Sequence, residues 1–410
     1  MHTRALDIFR RTRLSYRSFS AANTELVRDF LDPAAFYRYL VEEKGVDFFV
    51  GVPDSLLKDF CGYVSDTAPE SKHTITANEG SAVALATGYH MATGKVPLVY
   101  MQNSGLGNAV NPLLSLADPL VYGTPMLLVL GWRGEPGKKD EPQHKAQGQR
   151  MVSMLASMEI PFDTLPDFEE GAEVVIDALL ERARAINGPV ALCVKRQTFA
   201  PYTMKATLPI DASEDITLSR EEALRLCIAG VGAWDAVVST TGFASREVFE
   251  LREELSHDHS RDFLTVGSMG HASAIALGIA TGKPSRQVVC FDGDGAVLMQ
   301  MGNLASVGMS GAANFKHVVN NNLVHDSVGA QPTGAEAIDI PAIAKACGYT
   351  WSASVSSPEE VSSKFAELLA HNEGPGLLEI RTKPGARSDL GRPTTTPIEN
   401  KESFMKFLSE

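Results

Sequence analysis

The stretch Val288-Val289-Cys290-Phe291-Asp292-Gly293-Asp294-Gly295-Ala296 indicates the fold most directly. Four apolar residues, typical of a buried strand, lead into a turn in which two glycines flank an acid. Glycines at such a turn let backbone N–H groups approach a phosphate closely at the start of the following helix. Asp294 would repel a phosphate unless a cation lay between them, so the turn predicts a bound Mg²⁺.

A second set of oxygen ligands follows the next predicted strand, 317–319. Three consecutive amides, Asn320, Asn321 and Asn322, stand about one α/β crossover beyond Asp294. An amide oxygen can bind Mg²⁺ without adding charge to the site. The spacing leaves the choice between Asn321 and Asn322 open.

Short apolar runs alternate with helical stretches in both directions from this motif, which predicts parallel sheets covered on both faces. The runs are 48–50, 74–76, 98–100, 126–130 and 190–194, and then 236–239, 263–266, 288–291, 317–319 and 377–380. We therefore predict an α/β fold with two doubly wound parallel-sheet domains. Their expected bounds are 30–200 and 220–385, with a polar linker at 201–219 and a C-terminal extension at 386–410.

The composition disfavours several classes of protein. The chain has 410 residues, 44% hydrophobic and 21% charged, which fits a globular protein of about two domains. Its net charge of −13 disfavours a nucleic-acid binder, and no apolar run is long enough to predict a transmembrane helix. Five cysteines without a C-x-x-C pair disfavour a disulfide scaffold or a zinc ribbon and favour a reducing compartment.

Residues 1–23 differ in kind from the rest of the chain. They are rich in arginine and serine, contain Asp7 as their only acid, and lack a long apolar region. This composition is typical of a mitochondrial transit peptide, which predicts a location in the matrix. If the segment is instead a disordered extension, the expected location is the cytoplasm.

The Gly293-Asp294-Gly295 motif with its tandem Asn resembles the cofactor fingerprint of thiamine-diphosphate- and Mg²⁺-dependent enzymes. The resemblance implies a pyrimidine-binding domain at 30–200 and a diphosphate-binding domain at 220–385. It implies three metal ligands, which are Asp294, Asn322 and the carbonyl of Val324, with Asn321 as the alternative amide. It also implies diphosphate contacts from Gly293, Gly295 and Ala296. Leu323 stands where the family usually has a small residue.

Other segments match parts of the same family that hold the cofactor. Glu79 precedes an Ala-rich helix and resembles the acid that hydrogen-bonds the aminopyrimidine ring, although a Glu at a helix start also suits the helix dipole. The resemblance gives Gly267 a carbonyl contact to the aminopyrimidine, Met269 a wedge between the two rings, and Thr240 and Thr241 contacts to the diphosphate. Because family members bind the cofactor between two subunits, it also implies a homodimer or a larger assembly.

A narrower resemblance, to the phosphonopyruvate decarboxylases, covers most of residues 30–405. The matching stretches are 51–58, 102–108, 131–136, 325–333 and 391–397. This resemblance implies decarboxylation of 3-phosphonopyruvate, a 2-keto acid phosphonate, in phosphonate (2-aminoethylphosphonate) biosynthesis. Sulfopyruvate decarboxylases share parts of these stretches and stay an alternative. A non-catalytic, cofactor-binding regulatory subunit is a second alternative, which the presence of Glu79 and Asp294 disfavours.

The substrate residues are expected on loops that follow strands. A phosphonate dianion requires cations, and the cationic candidates on loop-like sequence are Arg133, His144, Lys145, Arg387 and Arg392. Arg133 is favoured because it directly follows the run 126–130. Ser55 and Asn103 lie in the matching stretches and are further substrate candidates.

Two more residues are candidates for proton transfer. Asp54 ends the first predicted strand, where related decarboxylases have an acid that assists loss of the carboxylate. His325, next to Asp326, directly follows the predicted metal loop and is placed to relay protons. A helix cap for Asp54 and a structural role for His325 are the alternatives.

Overall fold

The computed structural model describes residues 30–205 and 216–410. The predicted transit peptide at 1–23 lies outside the described residues, as does much of the predicted linker at 201–219. Among the described residues, no helix is both long and apolar enough to cross a membrane.

The first half of the chain forms a six-stranded parallel sheet in the order β2-β1-β3-β4-β6-β5. Its strands are β1 (Phe49–Gly51), β2 (His73–Ile75), β3 (Leu98–Gln102), β4 (Met126–Gly131), β5 (Phe162–Thr164) and β6 (Pro189–Val194). Because all the strands run in one direction, the turns that follow them meet at one edge of the sheet.

The second half repeats this arrangement in the order β8-β7-β9-β10-β14-β13. Its strands are β7 (Ala236–Ser239), β8 (Asp262–Leu264), β9 (Val288–Gly293), β10 (Phe315–Asn321), β13 (Trp351–Val355) and β14 (Gly376–Arg381). A small antiparallel pair, β11 (Val324–His325) and β12 (Gln331–Pro332), follows β10. Strand for strand, the two sheets have the same topology, so the architectural repeat expected from the sequence is confirmed.

Helices cover both faces of each sheet. In chain order, the α-helices are Pro33–Arg38, Lys58–Thr67, Glu79–Thr93, Leu106–Pro112, Pro142–Gly148, Met151–Ser157, Glu169–Ile186, Arg220–Gly230, Phe243–Glu254, Ala272–Gly282, Asp294–Met299, Gly302–Ser310, Ile340–Ala346, Pro358–Ala370 and Pro397–Ser409. Alternate residues of one strand enter opposite cores: Leu127 and Val129 pack on one side of β4 and Leu128 on the other. This double burial explains why the central strands are continuously apolar.

The short pair β11–β12 was not predicted, nor were two strands of the six-stranded sheets, both of which lie at sheet edges. Strand β5 is half-exposed, and β13, Trp-Ser-Ala-Ser-Val, buries only Val355 fully. An edge strand that is covered on one side needs no continuous apolar run, so its sequence resembles a loop.

The last helix, Pro397–Ser409, belongs to the core of the second half. Phe404 and Phe407 pack in its apolar cluster, and the Asn400 amide donates to the Asp262 carbonyl at 2.8 Å. The same amide accepts from the Leu264 N–H at 3.1 Å, so the helix covers the edge strand β8. The segment 386–410, expected as an extension, therefore ends in a helix whose inner face packs on the core of the second half.

Candidate cofactor and metal site

Asp294 lies where the sequence places it, at the turn between β9 and the helix Asp294–Met299. Its side chain is buried, and burial raises the pKa of the Asp294 carboxyl to about 6. The Thr333 hydroxyl donates to Asp294 Oδ2 at 2.5 Å, and the same residue's N–H donates to the Leu323 carbonyl at 2.9 Å. Thr333 thereby joins the turn after β9 to the loop after β10. A buried carboxylate in this position suits a hard cation, whose charge would offset its desolvation.

The two alternative amides have different surroundings. Asn321 ends β10 and donates its amide to Glu379 Oε1 at 2.8 Å, between two neighbouring strands. Asn322 lies in the loop beyond the strand, where its Oδ1 accepts from the Val324 N–H at 3.2 Å. Asn321 Oδ1 accepts in the same way from the Leu323 N–H at 3.2 Å, so what distinguishes Asn322 is its position beyond the end of the strand. The choice of Asn322 over Asn321 as the metal ligand stays a prediction.

The backbone conformation at Leu323 accounts for the small residue that the family usually has at this position. Its φ is 66°, in the left-handed region where a side chain is strained and glycine is not. Leu323 lies between Asn322 and Val324, so this turn sets how the two neighbouring residues are placed in the loop. Such strain at a binding loop is typical of functional sites.

The predicted diphosphate and pyrimidine contacts also come together. Thr241 Oγ1 accepts from the Gly267 N–H at 2.9 Å, which joins the turns after β7 and β8. Ser245 Oγ donates to the Thr240 carbonyl at 2.7 Å. Met269 is half-buried in a turn where Gly267 and Gly270 both have positive φ. The turn after β7 lies where the strand order reverses, between β7 and β9, which is the usual place for a ligand in such folds.

Unpartnered buried polar atoms lie at the same edge. They are the Ser239 hydroxyl at the end of β7, the Asn320 amide in β10 and the Thr382 hydroxyl just after β14. Buried polar groups normally have partners, so their concentration here favours a polar ligand nearby. Together with the carboxylate, amide and backbone carbonyl of the loop, the donor set fits a diphosphate held through Mg²⁺.

His325 packs directly on the metal turn. A Cβ atom at Gly295 would lie 2.8 Å from His325 Cε1, so only glycine fits between the turn and this ring. Burial lowers the pKa of His325 to about 4, which keeps the imidazole neutral near pH 7.

Glu79 lies at the matching edge of the first sheet, in the first turn of the helix Glu79–Thr93. It is almost fully buried, and Asn108 donates to its Oε2 at 2.8 Å. A Cβ at Gly105 would lie 2.3 Å from Glu79 Oε1, so this glycine makes room for the carboxyl group. An acid that only complements a helix dipole can stay exposed to solvent. Glu79 is instead enclosed by a second helix, which favours a functional role.

Asp54 is fully buried after β1. Gln102 donates to its Oδ1 at 2.5 Å, and the Leu56 N–H donates to its Oδ2 at 2.9 Å. Burial raises the pKa of the Asp54 carboxyl, and these hydrogen bonds oppose the shift. A Cβ at Gly131 would lie 1.9 Å from Asp54 Oδ2, so the end of β4 is shaped around this carboxyl group.

The three predicted substrate residues are in contact. Asn103 and Arg133 exchange hydrogen bonds through the Arg133 backbone, and Arg133 Nη1 donates to Ser55 Oγ at 2.8 Å. The rest of the Arg133 guanidinium forms a two-point ion pair with Asp140, at 2.9 and 2.6 Å. His144 bonds the same carboxylate at 3.0 Å. The charge of Arg133 is therefore already neutralised within the chain.

The other candidate cations differ in whether an acid neutralises them. Arg387 pairs with Glu221 and Arg392 with Glu141, whereas Lys145 is exposed. Arg246, which the sequence analysis did not single out, is half-buried beside the Phe243 ring. Within residues 30–205 and 216–410 it forms no ion pair, and burial and the charge of Arg392 lower the pKa of Arg246.

Sequence reasoning also missed residues that support the site, chiefly Thr333, Asn108 and Asp140. Thr333 and Asn108 lie within the matching stretches 325–333 and 102–108, which was the available signal. Asp140 carried no such signal, because its pairing with Arg133, seven residues earlier, depends on how the intervening loop folds back.

The two sheet edges meet within one chain. Asn78, the residue before Glu79, donates its amide to the Met299 carbonyl at 3.3 Å, at the end of the helix that Asp294 begins. A Cβ at Gly267 would lie 3.1 Å from Gln143 Cγ in the first half. The resemblance implies that the two edges come from different subunits, whereas this structure brings them together in a single chain.

Comparison with known families and proteins identifies the family of the chain. The model "Thiamine pyrophosphate enzyme, N-terminal TPP binding domain" matches residues 34–155, and "Thiamine pyrophosphate enzyme, C-terminal TPP binding domain" matches residues 248–380. The chain is 35% identical over 376 residues to a phosphonopyruvate decarboxylase of Streptomyces viridochromogenes, covering 89% of this chain and 92% of that protein.

Two further relatives cover similar lengths. A phosphonopyruvate decarboxylase of Streptomyces hygroscopicus is 34% identical over 378 residues, covering 89% of this chain and 91% of that protein. A sulfopyruvate decarboxylase of Methanosarcina acetivorans is 27% identical over 388 residues, covering 90% of this chain and 96% of that protein.

The contact between Gly131 and Asp54 predicts a local loss of stability. Gly131→Ala is expected to displace the Asp54 carboxyl from its two donors and to lower the free energy of unfolding by about 2 kcal/mol or more. Denaturant unfolding measures this difference. Gly107→Ala is the control, because nothing lies within 4 Å of its Cβ position. Equal stability of the two variants would contradict the assigned contact.

Proposed function

The chain belongs to the thiamine pyrophosphate enzymes and is a thiamine-diphosphate-dependent decarboxylase, and from this premise we propose that it converts 3-phosphonopyruvate to phosphonoacetaldehyde and CO₂. The choice of 3-phosphonopyruvate over sulfopyruvate rests on one observation. Identity to the phosphonopyruvate decarboxylases is 35% and 34% over nearly the whole chain, against 27% to the sulfopyruvate decarboxylase.

The second half supplies the groups that would hold the cofactor. We propose that Asp294, Asn322 and the Val324 carbonyl hold Mg²⁺, and that the turns at Thr240–Thr241 and Gly293–Ala296 hold the diphosphate. When bound, thiamine diphosphate supplies a nucleophilic carbon and accepts the electrons that CO₂ leaves behind. Buried ligands on adjoining turns would hold the metal in one geometry.

Two residues of the first half and one of the second would move and hold protons. Glu79, enclosed by Asn108 and Gly105, is placed to hydrogen-bond the aminopyrimidine ring and hold a proton there. Asp54 is buried and its pKa is raised, which suits an acid close to a departing carboxylate. Neutral His325 can accept or pass a proton beside the metal turn.

We propose Arg246 as a phosphonate ligand alongside the expected Arg133. A phosphonate dianion gains most from a cation that no carboxylate already neutralises. Arg133 is paired with Asp140, whereas Arg246 lies in the first turn of the helix that follows the diphosphate turn and forms no ion pair within the described residues. Arg133 retains a role in ordering Ser55 and Asn103.

The metabolic pathway and the cellular location are further proposals. We place the reaction in phosphonate biosynthesis, where irreversible loss of CO₂ would draw forward an unfavourable step that forms the carbon–phosphorus bond. We also propose that residues 1–23, outside the described residues, direct the protein to mitochondria. An intact Met1 on the protein purified from its own cells would contradict the second proposal.

We propose that the chain forms a homodimer through an apolar patch on the first half. Leu85 and Met91 lie exposed on the helix Glu79–Thr93, and Leu114, Leu120 and Tyr122 lie exposed just beyond the neighbouring helix. Exposed apolar side chains in one region of a surface are typical of interaction sites. A second copy of the chain is the occupant that the family resemblance implies.

Release of CO₂ tests the proposed reaction. With Mg²⁺ and thiamine diphosphate, the purified chain is expected to turn over 3-phosphonopyruvate in preference to sulfopyruvate and pyruvate, and to lose activity when the cofactor is omitted. Glu79→Gln should lower kcat by about 100-fold or more. Glu169→Gln, at the exposed start of another helix, is its control.

Each other outcome of this assay changes a different part of the proposal. A preference for sulfopyruvate would keep the chemistry and replace the substrate. No turnover by a chain that binds the cofactor would indicate a regulatory subunit. Near-normal activity of Glu79→Gln would remove Glu79 from the reaction.

Two arginine variants distinguish a residue that binds the phosphonate charge from one that orders its neighbours. Arg246→Ala is expected to raise KM for 3-phosphonopyruvate about tenfold or more and to leave kcat/KM for pyruvate, which lacks the second anion, nearly unchanged. Arg133→Ala should weaken the binding of both substrates to a similar extent, because Asp140 and Ser55 lose their hydrogen-bond partner. Steady-state kinetics with both substrates measure this, and equal effects of Arg246→Ala on the two would contradict its assignment.

Light scattering tests the dimer. The wild-type chain is expected at twice its monomer mass, and Leu85→Arg with Leu114→Arg is expected to shift it to the monomer, because buried charge would oppose association. Val174→Arg, exposed on a helix away from the patch, is the control. A wild-type monomer, or a double variant that stays dimeric, would contradict the proposed interface.

A further inference from the structure

A buried charge cluster lies behind the metal loop. Arg220 donates to Glu247 at 2.8 and 2.9 Å and to Asp326 Oδ2 at 2.7 Å. The side chains of Arg220 and Glu247 are buried, and that of Asp326 is 8% exposed. None of these three residues has a part in the reaction described above, and a buried cluster of this kind is costly to desolvate.

Asp326 is the member of this cluster that reaches the metal loop. The Asn322 amide nitrogen donates to Asp326 Oδ2 at 2.7 Å. The other oxygen, Oδ1, accepts from the Gly385 N–H at 2.9 Å. With three donors on one carboxylate, Asp326 serves as an acceptor on both oxygens rather than as the partner of His325 in a proton relay.

This hydrogen bond determines which way the Asn322 amide faces. A carboxylate only accepts, so it must be the NH₂ end of the amide that points to Asp326. The oxygen is left facing the loop, where it accepts from the Val324 N–H. A metal ion requires this oxygen, and a rotated amide would present two hydrogens to it instead.

We propose that Asp326, held by Arg220, is a positioning residue that orients Asn322 for the metal. The inference rests on the proposed Mg²⁺ site. Partners of this kind behind a metal ligand fix its orientation, and their loss commonly weakens metal binding by about 10–100-fold. Asp326 thereby links metal binding to the start of the helix Arg220–Gly230 and to the chain segment at Gly385.

Binding of Mn²⁺, followed by electron paramagnetic resonance, tests the proposal without turnover. The full chain is titrated with Mn²⁺ in the presence of thiamine diphosphate and without substrate. Asp326→Asn is expected to raise the Kd for Mn²⁺ about tenfold or more, because its side chain no longer requires the NH₂ end of Asn322. Wild-type affinity in a folded Asp326→Asn variant would overturn the proposal.

Two matched variants separate positioning from general damage. Glu379→Gln makes the same acid-to-amide change at the carboxylate that holds Asn321, and is expected to leave the Kd within about threefold of wild type. Glu247→Gln breaks the buried cluster without touching Asn322. It should lower the unfolding midpoint while changing the Kd far less than Asp326→Asn does.

Other outcomes are equally decisive. An increase in Kd for Glu247→Gln as large as that for Asp326→Asn would assign the effect to the cluster's stability and overturn the positioning role. If Asp326→Asn does not fold, Asp326→Glu keeps the charge beside Arg220 but displaces the carboxylate from Asn322, and the same rise in Kd is expected. Failure of the wild-type chain to bind Mn²⁺ would instead contradict the proposed metal site.

Discussion

Thr333 makes the pair of hydrogen bonds on which the geometry of the metal loop depends. Its hydroxyl donates to Asp294 and its N–H donates to the Leu323 carbonyl, so one residue joins the turns after β9 and β10. The small strand pair β11–β12 carries Thr333 back to this position. Parallel strands bring the two turns to one edge, but this contact brings the carboxylate and the amide loop together.

Several acids are buried around this arrangement, and each is enclosed differently. Asp294 has Thr333, Glu79 has Asn108, and Asp54 has Gln102 together with a backbone N–H. Burying a carboxylate is costly unless hydrogen bonds or a cation compensate. Each of these carboxyl groups has few hydrogen-bond donors around it. This is expected where a bound ligand or metal ion supplies the rest of the interactions that offset burial. The left-handed Leu323 adds backbone strain at the same place.

Much of the fold could be predicted because burial on both faces leaves a strong mark on the sequence. The central strands of both sheets are continuous apolar runs, and the strands β5 and β13 were missed because they lie at exposed edges. The same limit applies to the last helix. Its role as a cover for β8 depends on Asn400, which has no distinctive pattern in the sequence.

The sequence by itself determined the two parallel-sheet halves, the acidic glycine turn at Asp294 and the acid at Glu79, because local periodicity and turn chemistry depend on neighbouring residues. Only the tertiary structure showed that the neighbouring amides of Asn321 and Asn322 have different partners. Asn321 donates to Glu379 on the neighbouring strand β14, whereas Asn322 donates to Asp326 four residues further along its own loop. It also showed that Asp140 neutralises Arg133. Charge is compensated through space, so its balance depends on how the segments pack.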